Sequence, residues 1–186
     1  MRYSLAALLT LAAAPAFAHV DPGEHGSLLA GVTHPLFGLD HVLAMVAVGL
    51  WGVLISRRAI WALPASFVGA MVAGYALAMA GLPLPVVEPM ILASTVVLGL
   101  VVALALRTDL RIACGICAFF GLFHGHAHGA ELGEAGALAF GLGFIAATAA
   151  LHAAGAILGL ALARLGPYAS RAIGLVTAGL GLSIIF

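Results

Sequence analysis

His34-Pro35-Leu36-Phe37-Gly38-Leu39-Asp40-His41 opens an apolar run that continues to Ile55. A run of that length is a membrane span, which takes about 20 predominantly apolar residues. Two imidazoles and a carboxylate therefore stand at the mouth of a transmembrane helix. An ionisable side chain at bilayer depth costs on the order of 2.5 kcal/mol or more, so it marks a functional site unless shown otherwise. Structural glue between helices does not need a carboxylate and two histidines within one short stretch.

The rest of the chain agrees with a lipid setting. Of 186 residues, 64% are hydrophobic and 8% charged, with a mean hydropathy of +1.21; soluble domains carry about 25% charged residues. The net charge is zero and lysine is absent, so no basic patch is available for nucleic acid. The two cysteines, Cys114 and Cys117, are too few for a disulfide framework. Their spacing resembles a redox pair, but the soluble βαβ surroundings of such pairs are missing.

Residues 1–18 carry Arg2, an apolar run from Leu5 through Ala14, and Ala16-Phe17-Ala18. This is the pattern of a secretory signal peptide with a small-x-small cleavage site. The expected mature protein is a single domain over 19–186, beginning at His19 outside the cytoplasm. Hydropathy breaks at Ser56-Arg57-Arg58, Gly81-Leu82-Pro83, Arg107 to Arg111, Gly129 to Gly136 and Arg164 to Arg171. The expected fold is all-α: a polytopic bundle of six transmembrane helices near 36–55, 59–80, 86–106, 112–129, 136–163 and 170–186. The fifth segment is long enough to tilt or to contain a turn. Glycines such as Gly141, Gly143, Gly155, Gly159, Gly174, Gly179 and Gly181 suit close packing between membrane helices.

Arg57, Arg58, Arg107, Arg111, Arg164 and Arg171 all fall in alternate loops. Positive loops stay in the cytoplasm, which places both termini on the outer side. A second cluster, Phe123-His124-Gly125-His126-Ala127-His128-Gly129-Ala130-Glu131, then ends the outward-running fourth span. It lies at the same depth as the first. His124, His128 and Glu131 share one helical face, because residues three and four apart are neighbours on a helix. Extending that face inward passes Gly121, Cys117 and Cys114, while His126 points elsewhere.

On the first span Pro35 suits an opening turn, His41 lies deeper than His34, and Met45 adds a thioether four residues on. Asp40 is rotated about 100° from His41, so both can serve one ion only if it sits between faces or Gly38 bends the turn. Imidazoles with one or two carboxylates suit Ni, Co, Zn or Cu better than Mg or Ca. The proposed ligand set is His34, Asp40, His41, His124, His128 and Glu131. Met45, Cys117, Cys114 and His19 are auxiliary candidates, the last through its ring and the new terminal amine. Cys114 and Cys117 also read as small packing residues. His152, four residues from Thr148, reads as a hydrogen-bonding partner within the bundle. His25, Asp21 and Glu24 read as a solvated tail or, with His19, as a recruiter of metal, and Glu88 as an interfacial residue.

The two clusters resemble the signatures of the HupE/UreJ family of nickel and cobalt permeases. His34, Pro35, Gly38, Asp40, His41, Met45 and Gly49 match the first; Phe123, His124, Gly125, Ala127, His128, Gly129 and Glu131 match the second. The resemblance extends over the whole chain. It implies a bacterial inner-membrane protein that takes up Ni²⁺ or Co²⁺ from the periplasm for hydrogenase, urease or cobalamin-dependent enzymes. It implies a transporter rather than an enzyme, without a prosthetic group. No P-loop is present, so the chain brings no ATPase of its own, and a homo-oligomer stays open. A metal sensor or accessory subunit, and a haem-binding electron carrier, are the competing readings; the carrier would use opposed histidine pairs and has no need of Asp40.

Overall fold

A computed structural model describes residues 27–132 and 136–185. Among the described residues seven helices follow one another: α1 (Leu28–Phe37), α2 (Leu39–Ile55), α3 (Ala59–Met79), α4 (Val87–Ala103), α5 (Leu110–Leu132), α6 (Ala137–Leu162) and α7 (Pro167–Ile185). No strand occurs among the described residues. The protein is all-helical and built for a membrane. The last five predicted spans coincide with α3 to α7 to within three residues at each end. The long fifth segment is one continuous helix, α6.

The first predicted span is corrected. Pro35 does not open it; Pro35 lies inside a separate helix, α1, which meets α2 at 85°. Ser27 caps α1 by accepting the Ala30 N–H at 3.0 Å, satisfying one of the donors a helix start leaves over. The break falls at Gly38, whose extended backbone (φ −82°, ψ 109°) interrupts the helical run while its carbonyl still accepts the Val42 N–H. Asp40 then stands in the first turn of α2, where a negative charge suits the helix dipole.

Helices α3, α5, α6 and α7 are long and apolar enough to cross a membrane, and α1 with α2 adds a fifth crossing if the bent pair is one span. Helix α4 is apolar but has 17 residues, about 25 Å of helix against a hydrocarbon core of about 30 Å.

Packing is pairwise. Helix α3 lies against α5, α4 against α7, and α6 against both α1 and α2. Gly121, Gly125 and Gly129 of α5 meet the backbone carbonyls of Phe67, Met71 and Tyr75 on α3. The two helices therefore run parallel, and a Cβ at any of the three would enter the neighbouring backbone. Gly49 and Gly155 set a second parallel contact between α2 and α6, while Gly99 and Gly174 join α4 to α7 antiparallel. Gly143 meets the Leu28 carbonyl of α1 in the same way, Gly159 and Gly181 face side chains of α2 and α4, and Gly179 has no neighbour within 4 Å.

These registers sort the connections into two ends. Trp51 near the end of α2 donates to the Leu106 carbonyl at 2.8 Å, and Arg171 at the start of α7 donates to the Ala103 carbonyl at 2.8 Å. The arginine-bearing turns thus gather at one end. His34, His41, His124, His126 and His128 gather at the other, where the ring of His126 donates to the Leu82 carbonyl in the α3–α4 turn at 2.9 Å.

Candidate metal centre

The helix pairings bring the two sequence clusters together. Nε2 of His41 on α2 and Nε2 of His128 on α5 are 2.8 Å apart. Nδ1 of His41 lies 3.0 Å from Oδ1 of Asp40. A carboxylate can only accept here, so Nδ1 of His41 carries the proton and its Nε2 offers a lone pair to the N–H of His128. A carboxylate behind an imidazole fixes the tautomer and aims the far nitrogen, an arrangement common behind metal-binding histidines.

His124 is aimed in the same way by a different partner. Its Nδ1 donates to the Phe120 carbonyl one turn earlier, at 2.9 Å, which leaves Nε2 as a lone pair. That nitrogen is buried and has no hydrogen-bond partner among the described residues. The His124 ring stands edge-on to His41 at a centroid distance of 5.1 Å. His34 reaches in from α1, its ring 4.5 Å from His128 and 6.2 Å from His41. It is exposed, whereas His41, His124 and His128 are buried. The cluster therefore grades from an accessible imidazole at the mouth to an inaccessible one within.

Gly38 is required for space. A Cβ there would lie 2.9 Å from His41 Nδ1 and 3.0 Å from Asp40 Oδ1, inside the volume the pair occupies. The angular offset of Asp40 is thus resolved by the break at Gly38 and by the direction of its carboxylate, which faces His41.

Other expectations fare differently. His126 points away from the cluster, as its spacing indicated. Gly121, expected on the histidine face, faces α3 instead. Met45 and Cys117 are fully buried in the apolar core, with Cys114 packed against it, and both thiols are free. His152 does not pair with Thr148: Thr148 donates to the sulfur of Met71 at 3.7 Å, and neither ring nitrogen of His152 has a hydrogen-bond partner among the described residues. The residue spacing was right, but the Thr148 hydroxyl turns to the neighbouring helix. Glu131 continues the α5 face by position, but its side chain lies outside the described residues, as do His19, Asp21, Glu24, His25 and all of 1–18.

Three supports escaped the sequence reading. Phe140 and Phe144 of α6 wall the cluster, their rings 5.8 Å from His34 and 4.5 Å from His128 respectively. Their four-residue spacing was the available signal. Thr95 of α4 donates to the Asp40 backbone carbonyl at 3.2 Å and pins the first turn of α2; nothing in the sequence singles it out. Among the described residues no three His, Cys, Asp or Glu side chains already surround a common point. The imidazoles are gathered, with His41 and His128 hydrogen-bonded to each other.

Fold and site together define a polytopic helical membrane protein with an interhelical histidine cluster at one end. The family model for the HupE / UreJ protein matches residues 7–184, and the chain belongs to this family, whose proteins are membrane transporters or accessory proteins rather than enzymes. Protein HupE of Rhizobium leguminosarum bv. viciae is 43% identical over 172 residues, covering 89% of this chain and 87% of that protein. No solved structure matches.

Proposed function

We propose that this protein is an inner-membrane permease that imports Ni²⁺ or Co²⁺ from the periplasm to the cytoplasm. The reading rests on one observation above others: His41 and His128, from helices far apart in sequence, meet nitrogen to nitrogen at 2.8 Å with Asp40 behind His41. A divalent ion entering between two such nitrogens binds both lone pairs once the His128 proton has moved from Nε2 to Nδ1, because metal and proton compete for the same imidazole nitrogen. His124 offers a third nitrogen and His34 a fourth at the mouth, with Glu131 as a further oxygen donor. Asp40 orients His41 and supplies negative charge that favours a cation.

The arginine-rich end faces the cytoplasm, so the histidine end opens outward. Helices α2 to α7 make six crossings, α1 lies across the outer mouth, and residues 1–18 are removed as a signal peptide. Two positive charges moving inward at 100 mV gain roughly 4.6 kcal/mol, enough to drive accumulation in principle. A proton gradient or a partner protein would serve the same end.

The test is uptake of Ni, Co, Zn and Cu by proteoliposomes carrying wild type, Asp40→Asn and His41→Ala. Loss of Ni²⁺ and Co²⁺ uptake in both variants is expected; undiminished uptake in both would remove the site. Metal binding without flux in the wild type would mark a sensor or accessory subunit instead.

A further inference from the structure

His152 lies outside the cluster just described, near the middle of α6, and is 1% exposed. Both of its ring nitrogens lack hydrogen-bond partners among the described residues. A neutral imidazole carries one N–H and one lone pair, and leaving either buried and unmet costs about 1–3 kcal/mol. Packing alone does not account for retaining such a group, since an apolar side chain would fill the same space without the penalty. Within a membrane bundle, an unmet ionisable side chain points to a path for polar cargo.

Its position fits that role. Gly49 of α2 abuts the backbone carbonyl of His152, and Gly49 lies eight residues beyond His41. His152 is therefore about 12 Å further from the histidine end along α2, toward the arginine-bearing turns. The ring of Phe67 connects the two levels: its centroid is 5.2 Å from that of His124 and 5.1 Å from that of His152. The two imidazoles are thus within about 10 Å of each other, with one aromatic ring against both. His124 presents its own unpartnered Nε2 at that level of the cluster.

We propose that His152 is a second, deeper ligand for the transported cation, taking a first-row transition-metal ion from His124 past Phe67. This rests on the permease reading above and extends it inward. A single imidazole with waters retained by the ion binds weakly, which suits a station that must release its cargo toward the cytoplasm. The alternative for His152 is a purely structural part, and the two make different predictions about which metal passes.

The experiment compares wild type, His152→Phe and His152→Cys in proteoliposomes, reading Co²⁺ and Cd²⁺ uptake together with the visible absorption of Co²⁺ bound to the protein. His152→Phe keeps the Co²⁺ absorption of the outer cluster but lowers Co²⁺ uptake by about tenfold or more, the scale of a lost metal contact. His152→Cys recovers transport with its preference moved toward Cd²⁺, because thiolate is a softer donor than imidazole. Wild-type Co²⁺ uptake by His152→Phe would overturn the proposal. So would loss of its Co²⁺ absorption along with its flux, or an unchanged metal preference in His152→Cys, which also stands alone should His152→Phe not fold. Failure of the permease reading itself would be seen in the wild type, which would then carry no metal.

Discussion

Replacing Asp40 by asparagine is the most exacting test of how the cluster works. The substitution keeps size and shape, so Gly38, Thr95 and the break between α1 and α2 are undisturbed. It removes the charge that accepts the His41 Nδ1 proton at 3.0 Å. A hydrogen bond to a charged acceptor is worth about 1.5–3 kcal/mol and a neutral one about 0.5–1.5 kcal/mol, so roughly 1–2 kcal/mol of orientation is lost. The amide can also flip and offer N–H₂ to Nδ1, which would move the ring proton to Nε2 and block the nitrogen that faces His128. Both effects weaken metal binding, by about 10- to 100-fold for a partner of this kind. The assay is titration of the purified protein with Co²⁺ followed by its visible absorption, with thermal unfolding as a control. Binding by Asp40→Asn within about twofold of wild type would refute the claim that Asp40 acts through His41.

Gly38→Ala places a methyl group against both members of the same pair and is expected to weaken Co²⁺ binding by about tenfold, measured by the same titration. Gly125→Ala pushes a Cβ into the Met71 carbonyl on α3, whereas Gly115→Ala on the same helix meets nothing within 4 Å. The first should destabilise the protein by about 1–3 kcal/mol, and the second should be neutral or gain up to about 1 kcal/mol from helix propensity; thermal unfolding in detergent separates them. His126→Ala removes the tether to Leu82, and should lower stability by about 1 kcal/mol while leaving the Co²⁺ absorption unchanged. A loss of Co²⁺ binding in His126→Ala would place that histidine in the cluster after all.

How much could be read in advance depended on the kind of signal. Helices α3 to α7 were legible because lipid imposes long apolar runs and the polar turns between them are abrupt. The first span was misjudged for a local reason: Pro35 read as an opening residue, but helix continues through it and the break waits for Gly38. His152 was misread because a four-residue spacing permits a bond to Thr148 without requiring it, and the Met71 sulfur on α3 competed for the hydroxyl. Thr95 carries no pattern at all; its part exists only because α4 packs beside the start of α2.

By itself the amino-acid sequence determined that the chain is a helical membrane protein, that its loop arginines mark one end and its two histidine clusters the other, and which imidazoles share a depth. Those are consequences of one-dimensional rules: hydropathy, charge placement and helical periodicity. Only the tertiary structure decided that His41 faces His128, that Asp40 stands behind His41, and that Phe67 links His124 to His152. Depth is set along the chain, but direction around each helix is set by its neighbours. Here the close approach of α5 to α3 through Gly121, Gly125 and Gly129 turns His124 and His128 toward α2 and His126 away from it.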